Sequence, residues 1–170
     1  HSLATQGGSV KFIALLFTIF SLNAFCNDSK KQVFNNFSED FKLESVGFDY
    51  YTVSFSGSHI SNGEVIFELM PNEDYEHDIY QVVFIPEQPT SFPHITSGFY
   101  SKELIKLSLL NPSQAKNLLF NPEEWENAKS QKTRYVSKKV SIELSNYGTS
   151  VECDSRQYYG KIINVTKAET

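Results

Sequence analysis

Val136-Ser137-Lys138-Lys139-Val140-Ser141-Ile142-Glu143-Leu144 puts Val136, Lys138, Val140, Ile142 and Leu144 at every second position over nine residues. That period of two is the signature of a half-buried strand. Asn146-Tyr147-Gly148 reads as a turn, with return strands over Thr149–Cys153 and Tyr158–Val165. Upstream, Tyr51, Val53 and Phe55 alternate with Thr52 and Ser54, and Val65, Phe67 and Leu69 share one side of Glu64–Met70. Gly57-Ser58 and Asn62-Gly63 read as turns. Ile79–Ile85 is a near-continuous apolar run, expected as a central strand covered on both faces, and Pro86, Pro89 and Pro93 end it.

Between these β segments the pattern turns helical. Ser101 is placed to cap a helix through Leu104, Ile105, Leu107 and Leu109. Asn111-Pro112 and Asn121-Pro122 each offer a capping side chain followed by proline at the first helical position. Leu118, Leu119 and Trp125 are the expected anchors, and Glu123 and Glu124 suit the positive end of the second helix dipole. Val33, Phe37 and Phe41 recur every four residues and predict one more short helix. Strands, helices, then strands imply an α+β fold: an antiparallel β-sheet with a helical insertion of two to three short helices packed on one face.

The chain has 170 residues, 40% of them hydrophobic and 14% aromatic, which suffices for one core. Phe12–Leu22 carries no charge, follows Lys11 and precedes the polar run Asn27–Lys31. At 11 residues it is too short to span a bilayer and has the build of a signal-peptide helix. The expected division is residues 1–26, upstream residues plus leader, and 27–170, a single exported domain, periplasmic or secreted. Cleavage fits after Ala24 or after Cys26. Phe25 and Asn23 stand where a lipidation site wants small and aliphatic residues, so lipid anchoring at Cys26 is not expected, nor is a stable membrane span once the leader is removed. In an oxidising compartment Cys26 and Cys153, the two cysteines, are a candidate disulfide, with a buried thiol as the other reading of Cys153. Residues 25–126 hold 16 acids against 6 bases, while residues 127–170 hold 4 against 8. An acidic body argues against nucleic-acid binding.

No phosphate loop, zinc motif or nucleophile elbow occurs, and no cofactor is expected. Asp74, Glu76 and Asp78, with Glu73 and His77, form a weak metal candidate, but their spacing is not that of a calcium loop. Ser58 and His59, with His77, His94 and nearby carboxylates, supply the residue types of a Ser-His-Asp set, which geometry alone can define. Cys153 beside Arg156 has the makings of an activated thiolate. Phe48, Tyr50, Tyr51, Tyr158 and Tyr159 form an exposed-looking aromatic set, and its four tyrosines are the candidate binding residues, because tyrosines on strands make rigid amphipathic faces for protein or carbohydrate. Three Asn-x-Ser/Thr triplets begin at Asn27, Asn36 and Asn164. Val151–Tyr158, under a tenth of the chain, resembles the closing strand of small bacterial surface-adhesin domains, where a Cys and an Arg-x-Tyr element also end a β-rich fold. The spacing upstream of Cys153 departs from it. The function expected is a non-catalytic module that binds another protein or an envelope component (an inhibitor, immunity factor or adhesin-like domain). The alternative is a small extracytoplasmic hydrolase.

Overall fold

The computed structural model describes residues 33–70, 79–98, 100–130 and 134–166. Seven strands carry the fold: β1 (Lys42–Val46), β2 (Thr52–Ser56), β3 (Ser58–Leu69), β4 (Ile79–Pro86), β5 (Leu107–Leu109), β6 (Tyr135–Glu152) and β7 (Ser155–Thr166). Two helices, α1 (Pro112–Leu119) and α2 (Pro122–Ser130), lie between β5 and β6. The strands pair in the order β1-β2-β6-β3-β4-β5-β7, and β7 also pairs with β6. The hydrogen bonding therefore closes on itself: β3, β4, β5, β7 and β6 form a ring. Every junction in the ring is antiparallel except β5 with β7, where Ser108 faces Tyr159 and Leu109 faces Gly160 in parallel. A five-stranded ring in this order, with its helices between the third and fourth barrel strands, has the connectivity of the OB barrel. Folds of that kind host many unrelated functions, so function has to be argued from sites.

This corrects the α+β expectation. The protein is mostly β and its sheet is mixed rather than antiparallel; among the described residues two helices form, the lower end of the expected two to three. The helix expected after Ser101 is instead coil leading into β5. Leu107 and Leu109, two residues apart, both enter the core, whereas Ile105 is exposed. The barrel needs a strand between β4 and β7, and that requirement overrides local propensity. The helix expected around Val33–Phe41 is also absent. Its backbone donors go to a neighbouring segment: Asn35 N–H to His94 O and Ser38 N–H to Ser91 O, while Val33 O accepts from Thr96 N–H. Phe34, Phe37 and Phe41 meet the ring of Phe55 edge-on instead. The signal-peptide helix lies outside the described residues.

Two expected turns are interior strand positions. Gly63 lies within β3 because the Phe84 ring crosses it; a Cβ there would sit 2.6 Å from that ring. Asn146, at φ 49°, is a bulge inside β6, and the register shifts between Ser145 and Gly148. The extra residue changes which parity points inward, from Val140, Ile142 and Leu144 to Tyr147 and Thr149. Gly57, at φ 102°, joins β2 to β3, and both strands pair with successive stretches of β6. Ile79–Ile85 is a barrel wall rather than a strand covered on both faces: Val82 and Phe84 point in and Tyr80 is exposed.

The helices plug one barrel end. Phe67 meets Phe120 and Trp125 edge-on at 5.6 and 5.4 Å, and Ala115 and Leu119 are buried, while Leu118 is largely exposed. Lys138 donates to Leu119 O, at the negative end of α1. At α2 the capping is reciprocal: Asn121 Oδ1 accepts from Glu124 N–H, and the Glu124 carboxylate accepts from Asn121 N–H. Asn121→Ala is therefore expected to cost about 1 kcal/mol and to lower Tm by about 2–4 °C, read by calorimetry. No helix among the described residues is long and apolar enough to cross a membrane.

Candidate functional site

β6 and β7 are joined by Cys153 and Asp154 alone, with Glu152 opposite Ser155. Both turn residues have positive φ, 47° and 59°, as a two-residue hairpin of this twist demands. Asp49, Tyr50 and Tyr100 share that left-handed region. Thus five of the six non-glycine residues with positive φ among those described meet at one end of the barrel. Each such residue costs on the order of 1–3 kcal/mol, so the surroundings must impose the shape.

Arg156 imposes it. Its side chain is 1% exposed. Nε donates to Tyr100 O at 2.8 Å, Nη2 to Tyr50 O at 2.9 Å and Nη1 to Thr149 Oγ1 at 3.3 Å. One planar guanidinium thus fixes the two strained segments against β6. Burial pulls its pKa down from the usual guanidinium range. No carboxylate pairs with it among the described residues. Outside this clasp Tyr100 Oη donates to Asp154 Oδ1, and the Tyr51 and Tyr100 rings meet edge-on at 5.7 Å. Hydrogen bonding with Tyr51, and next with Asp154, pushes the Tyr100 phenol up to about 12. Phe48, beside Asp49, is 91% exposed, with Tyr51 at 42%.

Of the four tyrosines singled out from sequence, Tyr51 is on this tip. Tyr50 supplies its carbonyl there while its ring packs inward near Phe34. Tyr158 is buried, stacks on Tyr147 and donates to Lys102 O. Burial pushes its phenol up to about 12. Tyr159 lies elsewhere, half-buried on the outer face of β7. Phe48, grouped with these tyrosines from sequence, is exposed as that grouping anticipates; sequence reasoning missed Tyr100 and the clasp by Arg156. The positive-φ residues here are Asp, Tyr and Cys rather than glycine, so composition gave little sign of them. Cys153 is exposed on the turn rather than a buried thiol; Cys26 lies outside the described residues. So do Asp74, Glu76 and Asp78. Among the described residues no three His, Cys, Asp or Glu side chains group to hold a metal.

A second constellation stands apart. Asp40 Oδ2 meets His59 Nδ1 at 2.8 Å, and His59 Nε2 meets Ser91 Oγ at 3.2 Å. The serine differs from the Ser58 anticipated, which instead bonds Glu143. His94 carries a buried Nδ1 without a partner. The hydrogen bond to His59, and next that from Ser38, holds the Asp40 carboxyl below its ordinary 3.8. A depressed carboxyl stabilises the fold above the unfolded pKa, and that contribution disappears as pH falls through the folded value. Asp40→Asn should therefore lower stability at neutral pH and flatten the curve below about pH 4, where the parent loses the same contribution and the two proteins converge, read by urea denaturation at stepped pH.

No family model matches the chain, and neither a curated protein nor a solved structure resembles it at a significant level.

Proposed function

We propose that the protein is a non-catalytic, exported binding module and that the tip formed by Phe48, Tyr51, Tyr100 and Asp154 is its recognition surface for another protein or an envelope component. The observation that carries this reading is Phe48: an aromatic side chain 91% exposed, on a left-handed turn that a buried arginine holds in place. Strain of this kind gathers where shape serves a ligand, and rigid aromatics dominate binding energy at interfaces. Tyr51 and Tyr100 flank it with hydroxyls for orientation, and Asp154 supplies an acceptor. Photo-crosslinking from position 48 in the native envelope fraction tests it. Phe48→Ala is expected to weaken capture of the crosslinked partner about 30-fold while moving stability by no more than about 0.5 kcal/mol. Capture unaltered by Phe48→Ala and Tyr51→Ala together would overturn the reading.

The distances among Asp40, His59 and Ser91 favour a second reading, a hydrolase with Ser91 as nucleophile. Weighing against it, Ser91 Oγ donates to Gln88 O at 2.8 Å, and its one proton cannot also serve His59. The two backbone N–H groups best placed to hold an oxyanion are spent within the turn, Ser91 N–H on Gln88 O and Phe92 N–H on Pro89 O. A fluorophosphonate probe is expected to leave Ser91 unlabelled; labelling lost in both Ser91→Ala and His59→Gln would establish the enzyme instead.

A further inference from the structure

The β6 bulge does more than change strand parity. Asn146 and Gly57, the two irregular positions, flank a shallow groove of ≈ 430 Å³ on the outer wall of the barrel. Tyr159, half-buried on β7, lines it. Gly148 lies opposite Tyr159 in the β6–β7 register, and a Cβ on Gly148 would come within 2.8 Å of ring carbons. The absent side chain therefore lets the Tyr159 ring cross the backbone of β6 beside the groove. Leu110, half exposed, extends the apolar lining. The rim is polar and mixed in charge: Glu44 offers an acceptor, Lys161 a cationic donor and Asn146 both functions of an amide. Glu44 is held by Ser54 Oγ, while the Lys161 and Asn146 side chains make no hydrogen bond within the described residues.

We propose that this groove binds a saccharide, one pyranose ring stacked on Tyr159 with its hydroxyl edge turned to Asn146, Lys161 and Glu44. A pyranose has an apolar C–H face and an equatorial belt of groups that each donate and accept. An aromatic ring with donors and acceptors around it complements both features. The volume is in the range of small-ligand sites. A nucleotide base would stack as well, but its phosphate would meet Glu44 and only one lysine. The site is separate from the aromatic tip: Tyr159 is five residues along the chain from Asp154.

The test is a nuclear magnetic resonance titration of the isotope-labelled protein with chitotriose, maltotriose and, separately, AMP. One stacked ring and two or three hydrogen bonds support a Kd of about 1 mM. A sugar is expected to shift the amides of Gly148, Tyr159 and Lys161. Tyr159→Phe should keep that response, Tyr159→Ala and Lys161→Met should weaken it at least fivefold, and Phe48→Ala should leave it intact. The proposal is overturned if neither sugar moves these amides at about ten times that Kd, if AMP moves them more than either sugar does, or if Tyr159→Ala responds like the parent.

Discussion

Arg156→Ala is expected to remove about 3–5 kcal/mol of stability, the cost of two backbone carbonyls left without a donor and of the cavity left behind. Two terms oppose each other. Truncation relieves the protein of a desolvated cation, which is favourable. It also orphans Tyr50 O and Tyr100 O, at about 1–3 kcal/mol for each acceptor left unmet, while Thr149 Oγ1 keeps its bond to Gln157 O, and it opens a cavity under the tip. The left-handed residues decide the balance, because Asp49, Tyr50 and Tyr100 lose the anchor that kept them strained. Arg156→Lys should recover less than half of the loss, since a point charge cannot span three acceptors. Urea denaturation measures the loss. Amide exchange then gives the distinguishing readout: protection at residues 49–51 should fall further than protection in β3. A loss under about 1 kcal/mol would mean that the tip keeps its shape without the clasp.

The second large effect is expected from Phe67→Ala, also about 3–5 kcal/mol. Phe67 has no exposed surface and its ring meets both Phe120 and Trp125. Because one cluster joins the barrel to the helices, Phe67→Ala and Trp125→Ala should not be additive. The double variant is expected to lose less than the sum of the singles by about 0.5–1.5 kcal/mol. Simple additivity would show that the helices rest on the barrel end without plugging it.

What sequence could reveal follows from the range of each interaction. The pattern in Val136–Leu144 and the Asn-Pro starts of both helices are local, and strand and helices begin where expected; only Asn121 caps its helix, however, because the Asn111 amide is taken by the backbone of Ile162 on β7. Leu107-Ser108-Leu109 misled because its fate is set by β4 and β7, strands distant in the chain. Phe37 and Phe41 repeat at helical spacing, yet both are turned toward Phe55 by backbone bonds to the Ser91–Thr96 segment. Gly63 resembled a turn residue because sequence cannot show that the Phe84 ring crosses it. The tip was half legible: Phe48 and Tyr51 stood out as exposed-looking aromatics, but Tyr100 and the arginine behind them come from other parts of the chain. Ser91 was invisible as the partner of His59 for the same reason, since only the folded chain brings them together.

The ring of strands is sealed by two facing pairs, Ser108 with Tyr159 and Leu109 with Gly160. Nascent chain that has not yet emerged past residue 160 therefore has no means of closing the cylinder, however much of β3, β4 and β6 has formed. Until that seam forms, the unsealed cylinder shows bare strand margins to any chain it meets. The same short seam is where the finished protein breathes first, so the amides of residues 108 and 109 should exchange ahead of those in β3.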